Sequence, residues 1–183
     1  MQAEPIAATP LAIIVMGVSG CGKSSVGADL AARLGLTFIE GDALHPQANV
    51  DKMASGIPLT DDDRWPWLST IGSAMAGALA AGQGIIVSCS ALKKIYRDHL
   101  RRAAGGHLAF VYLEGSHALL SARMGARTGH FMPPALLESQ LATLEAPTGE
   151  PGVITVSINQ PVEAIAAEAL KGLAMLARPF AGL

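Results

Sequence analysis

The chain has 183 residues, half of them hydrophobic and only 15% charged, with a formal net charge of −2. That is enough apolar material for one α/β domain with a full core, so wholesale disorder is excluded and little room is left for a second domain. The near-neutral balance argues against a nucleic-acid or membrane surface, so affinity for anions has to come from local basic clusters, and two cysteines are too few for a disulfide scaffold or a Cys-rich zinc site.

Residues 1–10 contain Glu4 and two prolines but no Lys or Arg. They lack the basic start of a signal peptide and read as a leader ahead of one domain over residues 11–183. The strongly apolar run 11–18 is far too short to span a bilayer, so the chain is expected to be cytoplasmic, with Cys21 and Cys89 reduced. Residues 11–16 predict a strand buried on both faces, followed by a helix over 23–34 with Val26, Leu30 and Leu34 on one side and Gly35 as its stop. Further strands are expected at 37–39, 85–88, 110–113 and 153–158. Helices are expected at 67–81, 92–103, 117–126, 134–144 and 162–177. Alternation of this kind predicts an α/β fold with a parallel sheet covered by helices. The least regular stretches, 42–67 and 127–134, read as binding loops or flaps.

Between the first strand and helix lies Gly17-Val18-Ser19-Gly20-Cys21-Gly22-Lys23-Ser24, which meets every fixed position of the phosphate-binding loop G-x-x-x-x-G-K-[ST]. Its glycines let backbone N–H groups turn inward around phosphate oxygens, and the helix start at Lys23, Ser24 and Ser25 adds partial positive charge. Lys23 is expected on the β- and γ-phosphates of ATP, and the Ser24 hydroxyl on Mg²⁺. Cys21 holds a variable position. No Asn-Lys-x-Asp or Asp-x-x-Gly string occurs, which excludes a GTPase switch. A non-catalytic nucleotide sensor is left open by the loop alone.

Asp42 follows the second strand, where open α/β sheets bind ligands. It reads either as a group orienting an acceptor hydroxyl or as a helix cap. Arg64 suits a bidentate carboxylate contact, or else an ion pair with the Asp61–Asp63 triplet, itself expected to cap the helix before Trp67. After the third strand, Ser88-Cys89-Ser90-Ala91-Leu92-Lys93-Lys94 leads to Arg97, the better binding candidate of that basic cluster. Arg123 and Arg127 share a helical face before the Gly129–Pro133 flap. They suit a lid closing on transferring phosphates, with a solvated basic face as the alternative. Gln140 interrupts the apolar face of Leu136, Leu137, Leu141 and Leu144, either to meet substrate or to satisfy a backbone group.

Taken together, several strings resemble the thermoresistant-type gluconokinases, which share a general plan with shikimate kinases: the phosphate loop, Gly41-Asp42-x-x-His45-Pro46, Lys52-Met53, Gly56-x-Pro58-Leu59, Asp61-x-Asp63-Arg64-x-Pro66-Trp67-Leu68, Cys89-Ser90-Ala91-Leu92-Lys93, Tyr96-Arg97, His130-Phe131-Met132-Pro133 and Leu136-Leu137-x-Ser139-Gln140. The resemblance runs from Ile13 to the last helix. It implies a P-loop kinase with sheet order 2-3-1-4-5, an acceptor region at about 42–68 and a lid at about 120–134. It further implies ATP, Mg²⁺, conversion of D-gluconate to 6-phospho-D-gluconate, and a homodimer. Substrate contacts are then expected at Asp42, Arg64, Ser90, Arg97, His130 and Gln140. Catalytic roles fall to Lys23, Asp42 and Arg127, with Arg123 also on ATP. The third strand ends in Ser88 rather than the usual Walker-B aspartate, which leaves Glu40 or Asp42 as further candidates for Mg²⁺.

Overall fold

The structure, a computed structural model, describes residues 10–126 and 134–177. β1 (Ala12–Met16) is buried at every residue. Such a strand has no polar face to show to water and is stable only between two layers. With β2 (Thr37–Glu40), β3 (Ile85–Ser88), β4 (Leu108–Glu114) and β5 (Val153–Ser157) it forms a parallel sheet in the order β2-β3-β1-β4-β5. That is the expected order. The helices are α1 (Lys23–Leu34), α2 (Gln47–Ala54), α3 (Asp61–Ala80), α4 (Lys94–Ala103), α5 (His117–Ala126), α6 (Pro134–Thr143) and α7 (Val162–Leu176). α1 packs on α7 and α3 on α4, and both pairs contact the sheet. Among the described residues no helix is long and apolar enough to cross a membrane.

Register aligns the business end of the sheet. Val15 lies opposite Ser88, and Ser88 opposite Glu40. The loops that follow β1, β3 and β2 therefore open at one level, on one crevice.

Two expectations need correction. Residues 42–67 are mostly ordered helix: a 3₁₀ turn over Gly41–Leu44, then α2, then the first turns of α3. The short turn and a helix of only eight residues span too few positions to establish a period. The acidic triplet does not cap a helix at Trp67; it is the first turn of α3. Thr60 is the cap: its hydroxyl accepts from the Asp63 N–H while the Asp63 carboxylate accepts from the Thr60 N–H. Pro66 then sits inside the helix, still near its start, where few i−4 bonds are lost.

Candidate active site

The phosphate loop is built by close packing. Gly17 has φ +146, and a Cβ there would lie 2.7 Å from Cys21 Sγ and 3.0 Å from the Leu113 carbonyl. Val18 and Cys21 are buried, so these two contribute backbone and core and not side chains to a ligand. Lys23 Nζ donates to the carbonyls of Gly17 (3.1 Å) and Val18 (3.2 Å), which holds the ammonium across the loop. Ser24 and Ser25 are exposed on the first turn of α1. Arg123 on α5 donates to the Ile158 carbonyl (2.8 Å), with its other terminal nitrogen 3.9 Å from where a Cβ of Gly22 would be. Its charge thus lies beside the loop.

Glu40, the last residue of β2, brings a carboxylate to the start of α1, beside the end of β3, where Ser88 stands instead of a Walker-B aspartate. One of its oxygens accepts from the Ser24 hydroxyl (2.5 Å), and the other from the Ser88 hydroxyl. Ser88 also accepts from the Gly41 N–H (3.1 Å). A hydroxyl and a carboxylate are hard oxygen donors of the kind that, with phosphate oxygens and waters, suit Mg²⁺.

A cleft next to the loop is lined by Ser19 and Lys23, by Asp42 and His45 after β2, by Arg64 and Trp67 of α3, by Ser90 after β3, and by Ser139 and Gln140 of α6. Met53, Leu59 and Leu136 pack together as its apolar wall, tying α2 and α6 across it. Two cations, Lys23 and Arg64, face one carboxylate, Asp42, so the described lining favours an anion. Asp42 is half exposed in the first turn of the 3₁₀ segment and caps no helix through its side chain.

Arg64 is not paired with the acidic triplet. Its guanidinium donates to the Tyr96 hydroxyl (3.1 Å) and lies over the Tyr96 ring. That hydroxyl in turn donates to Asp61, which also accepts from Lys93 (3.0 Å). These two hydrogen bonds, Tyr96 first, hold the Asp61 carboxyl below its usual range. Burial, then the bond to Asp61, pushes the Tyr96 phenol up. Arg64 is therefore braced from behind, on the side away from the cleft.

Arg97 is a correction to the sequence reading. It is fully buried, and its donors reach the carbonyls of Ala91, Leu92 and Glu145 and both carboxylate oxygens of Glu150. All five N–H groups of a guanidinium are used, so the side chain binds protein and not an acceptor. It pins the loop that carries Ser90, where Ala91 holds a left-handed φ of 46. Gln140 Oε1 accepts from the Ser19 N–H (2.8 Å) and hydroxyl (3.2 Å), so it meets a backbone group while also lining the cleft. Arg127 and His130 lie outside the described residues.

The sequence reading gave His45 no role, though it lies in the cleft. Its ring stacks on Trp67 (centroids 4.0 Å apart), and Trp67 Nε1 donates to the Gly41 carbonyl (2.8 Å). The available signal was its spacing: three residues after Asp42 on a tight turn puts both on one side.

Comparison with known proteins agrees with this picture. The model of the AAA domain family matches residues 13–147. The gluconokinase of Gluconobacter oxydans (strain 621H) is 51% identical over 150 residues, covering 81% of this chain and 83% of that one. The thermoresistant gluconokinase of Escherichia coli (strain K12) is 43% identical over 159 residues, covering 86% and 90%. The crystal structure of a gluconokinase from Sinorhizobium meliloti 1021 superposes with a TM-score of 0.84 at 58% identity, covering 92% of this chain and 94% of that one. With a phosphate loop, an anion-favouring cleft beside it and relatives alike over most of their length, the chain belongs to the gluconokinase family.

Proposed function

We propose that the protein transfers the γ-phosphoryl group of ATP to the terminal hydroxyl of D-gluconate, giving 6-phospho-D-gluconate and ADP. One observation carries the reading: Lys23, Asp42 and Arg64 line the same cleft. A nucleotide sensor has no use for a carboxylate and an arginine beyond its phosphate loop.

In this reading the loop amides and Lys23 hold the phosphates. Arg64, braced by Tyr96, takes the gluconate carboxylate, with Ser90 beside it. The terminal hydroxyl, hydrogen-bonded to Asp42, attacks the γ-phosphorus in line. The new O–P bond forms as the bond to the β,γ-bridging oxygen breaks, ADP leaves with the electron pair, and the hydroxyl proton passes to Asp42. Arg123, and Arg127 with it, offset charge spreading onto the equatorial oxygens. Ser24 and Glu40 would hold Mg²⁺, which when bound neutralises the β- and γ-phosphate oxygens. Residues of about 120–134 act as the lid, with His130 as a substrate contact. A homodimer in the cytoplasm goes with this reading, and light scattering on the purified chain checks the assembly.

The test of function is ADP release over a panel of sugar acids, shikimate and nucleoside monophosphates. D-gluconate is expected to give the highest kcat/KM. Faster turnover of shikimate or a nucleoside monophosphate overturns the assignment.

A further inference from the structure

His45 is held in one tautomer. The Asn49 side-chain nitrogen donates to the Asp63 carbonyl (2.9 Å), and a carbonyl can only accept, so the amide orientation is fixed. The same nitrogen lies 3.2 Å from His45 Nδ1 and supplies its second N–H there. Nδ1 is therefore an acceptor, and the ring proton sits on Nε2. Asn49 is itself buried, and Asp63 is anchored by Thr60 and by Lys52 (2.7 Å), so the chain that sets the tautomer is rigid. On its other edge Nε2 looks toward the Asp42 carboxylate, whose Oδ1 is 3.9 Å away. That gap is too long for a direct hydrogen bond. One oxygen at about 2.8 Å from both can bridge it, provided that it accepts from Nε2–H and donates to Oδ1. Only a hydroxyl or water does both.

We propose that His45 and Asp42 together read a second hydroxyl of the acceptor, the one vicinal to the hydroxyl that is phosphorylated. This rests on the gluconate reading above. Asp42 has two oxygens and a terminal 1,2-diol has two hydroxyls at matching spacing, so one carboxylate oxygen takes the reacting hydroxyl and the other its neighbour. His45 closes the second contact, which makes it a specificity residue: a C5-deoxy chain leaves both partners unpaired, and a C5-keto oxygen cannot donate to Asp42. Burial holds the imidazole neutral, its pKa lowered to about 4. The facing groups act in opposite directions, Asp42 raising it and Arg64 lowering it.

Two measurements test this. In the free protein, ¹⁵N NMR of the imidazoles, assigned by comparison with His45→Phe, is expected to find His45 as the Nε2–H tautomer, neutral down to about pH 5. An Nδ1–H tautomer, or titration near 6.5, overturns the proposal whatever the acceptor. The second measurement compares kcat/KM for D-gluconate and its C5-deoxy and C5-keto analogues in wild type, His45→Phe and His45→Gln. Wild type is expected to reject both analogues by roughly 10²-fold or more. His45→Phe keeps the stack on Trp67 and loses the donor. It should raise the gluconate KM about 10-fold or more, leave the ATP KM within about 2-fold, and shrink the rejection of the C5-deoxy analogue below about 10-fold. His45→Gln, which restores an N–H, should recover part of the discrimination. Unchanged discrimination in His45→Phe, or an ATP KM rising in step with that for gluconate, sinks the proposal. Wild-type turnover of gluconate is read separately and bears on the function alone.

Discussion

In the proposed transfer Lys23 and Asp42 act at opposite ends, and their substitutions test the two ends separately. Lys23→Ala removes the cation that lies across the phosphate loop. Turnover should fall by at least about 10²-fold, the usual cost of a preorganised electrostatic contact. The fold should survive, because the side chain bonds only to its own loop. Asp42→Asn keeps the size and loses charge and basicity. Turnover should drop roughly 10²–10⁴-fold with little change in ATP affinity, and wild-type turnover would remove Asp42 from the mechanism. His45 adds a pH signature. Its folded pKa is about 4, against about 6.5 unfolded, so between those values the unfolded chain binds the proton that the folded chain refuses. Proton binding then favours unfolding. The stability is complete above about pH 6.5 and is lost as pH falls toward 4, by about 3 kcal/mol at most. Urea unfolding across that window should show the loss in wild type and a flatter profile in His45→Phe.

At the scale of elements, α4 is set by one buried ion pair. Arg97 joins it to the loop after β3 and to the 145–150 segment, and Glu150 is shared with Arg101 (2.8 Å), which in turn reaches Asp98 (2.9 Å). The bond from Arg97, before all other causes, holds the Glu150 carboxyl below its usual range. Arg97→Met leaves that carboxylate half-compensated and takes the guanidinium donor from the carbonyls of Ala91 and Glu145, while the Leu92 carbonyl keeps the Glu145 N–H (2.8 Å). The expected loss is about 3–5 kcal/mol of unfolding free energy in urea, with turnover down through displacement of Ser90. A loss under about 1 kcal/mol would deny the clamp. Sequence had made Arg97 an acceptor ligand, because a basic residue one turn past a strand end looks the same whether it faces a cleft or a carboxylate 53 residues away. The strands and long helices were legible because apolar runs and 3.6-residue stripes are local signals. The start of α3 was not, since three aspartates, a proline and two tryptophans hide the period. Lys23, Asp42 and Arg64 were legible as cleft residues from their places after strands and in the acceptor strings. The Glu40–Ser24–Ser88 cluster and the orientation of His45 were not, because both depend on strand register and on a buried amide far from any motif.

At the scale of the whole molecule, the proposed nucleotide end and the proposed acceptor end meet where β2 leaves the sheet. Gly41 occupies that seam: a Cβ there would come within 1.8 Å of the Ser88 carbonyl, a backbone atom of the interior strand β3. Its N–H donates to Ser88 Oγ and its carbonyl accepts from Trp67, so neither side can swing away without cost. Gly41→Ala must therefore shift β2 against β3, and with it Glu40 on the nucleotide side and Asp42 and His45 on the acceptor side. Gly77 in α3 is the matched control. Nothing lies within 4 Å of its Cβ position, and its helical backbone accepts alanine. Gly77→Ala should stabilise the protein by about 0.4–1 kcal/mol, chiefly by restricting the unfolded chain, and leave turnover unchanged. Gly41→Ala should cost about 1–3 kcal/mol or more. It should also raise the KM for ATP and for gluconate together, which none of the single-contact variants is expected to do. The measurement is urea unfolding and two-substrate kinetics on the same preparations. A Gly41→Ala enzyme with normal kinetics would show that the two halves of the site are not held by this seam.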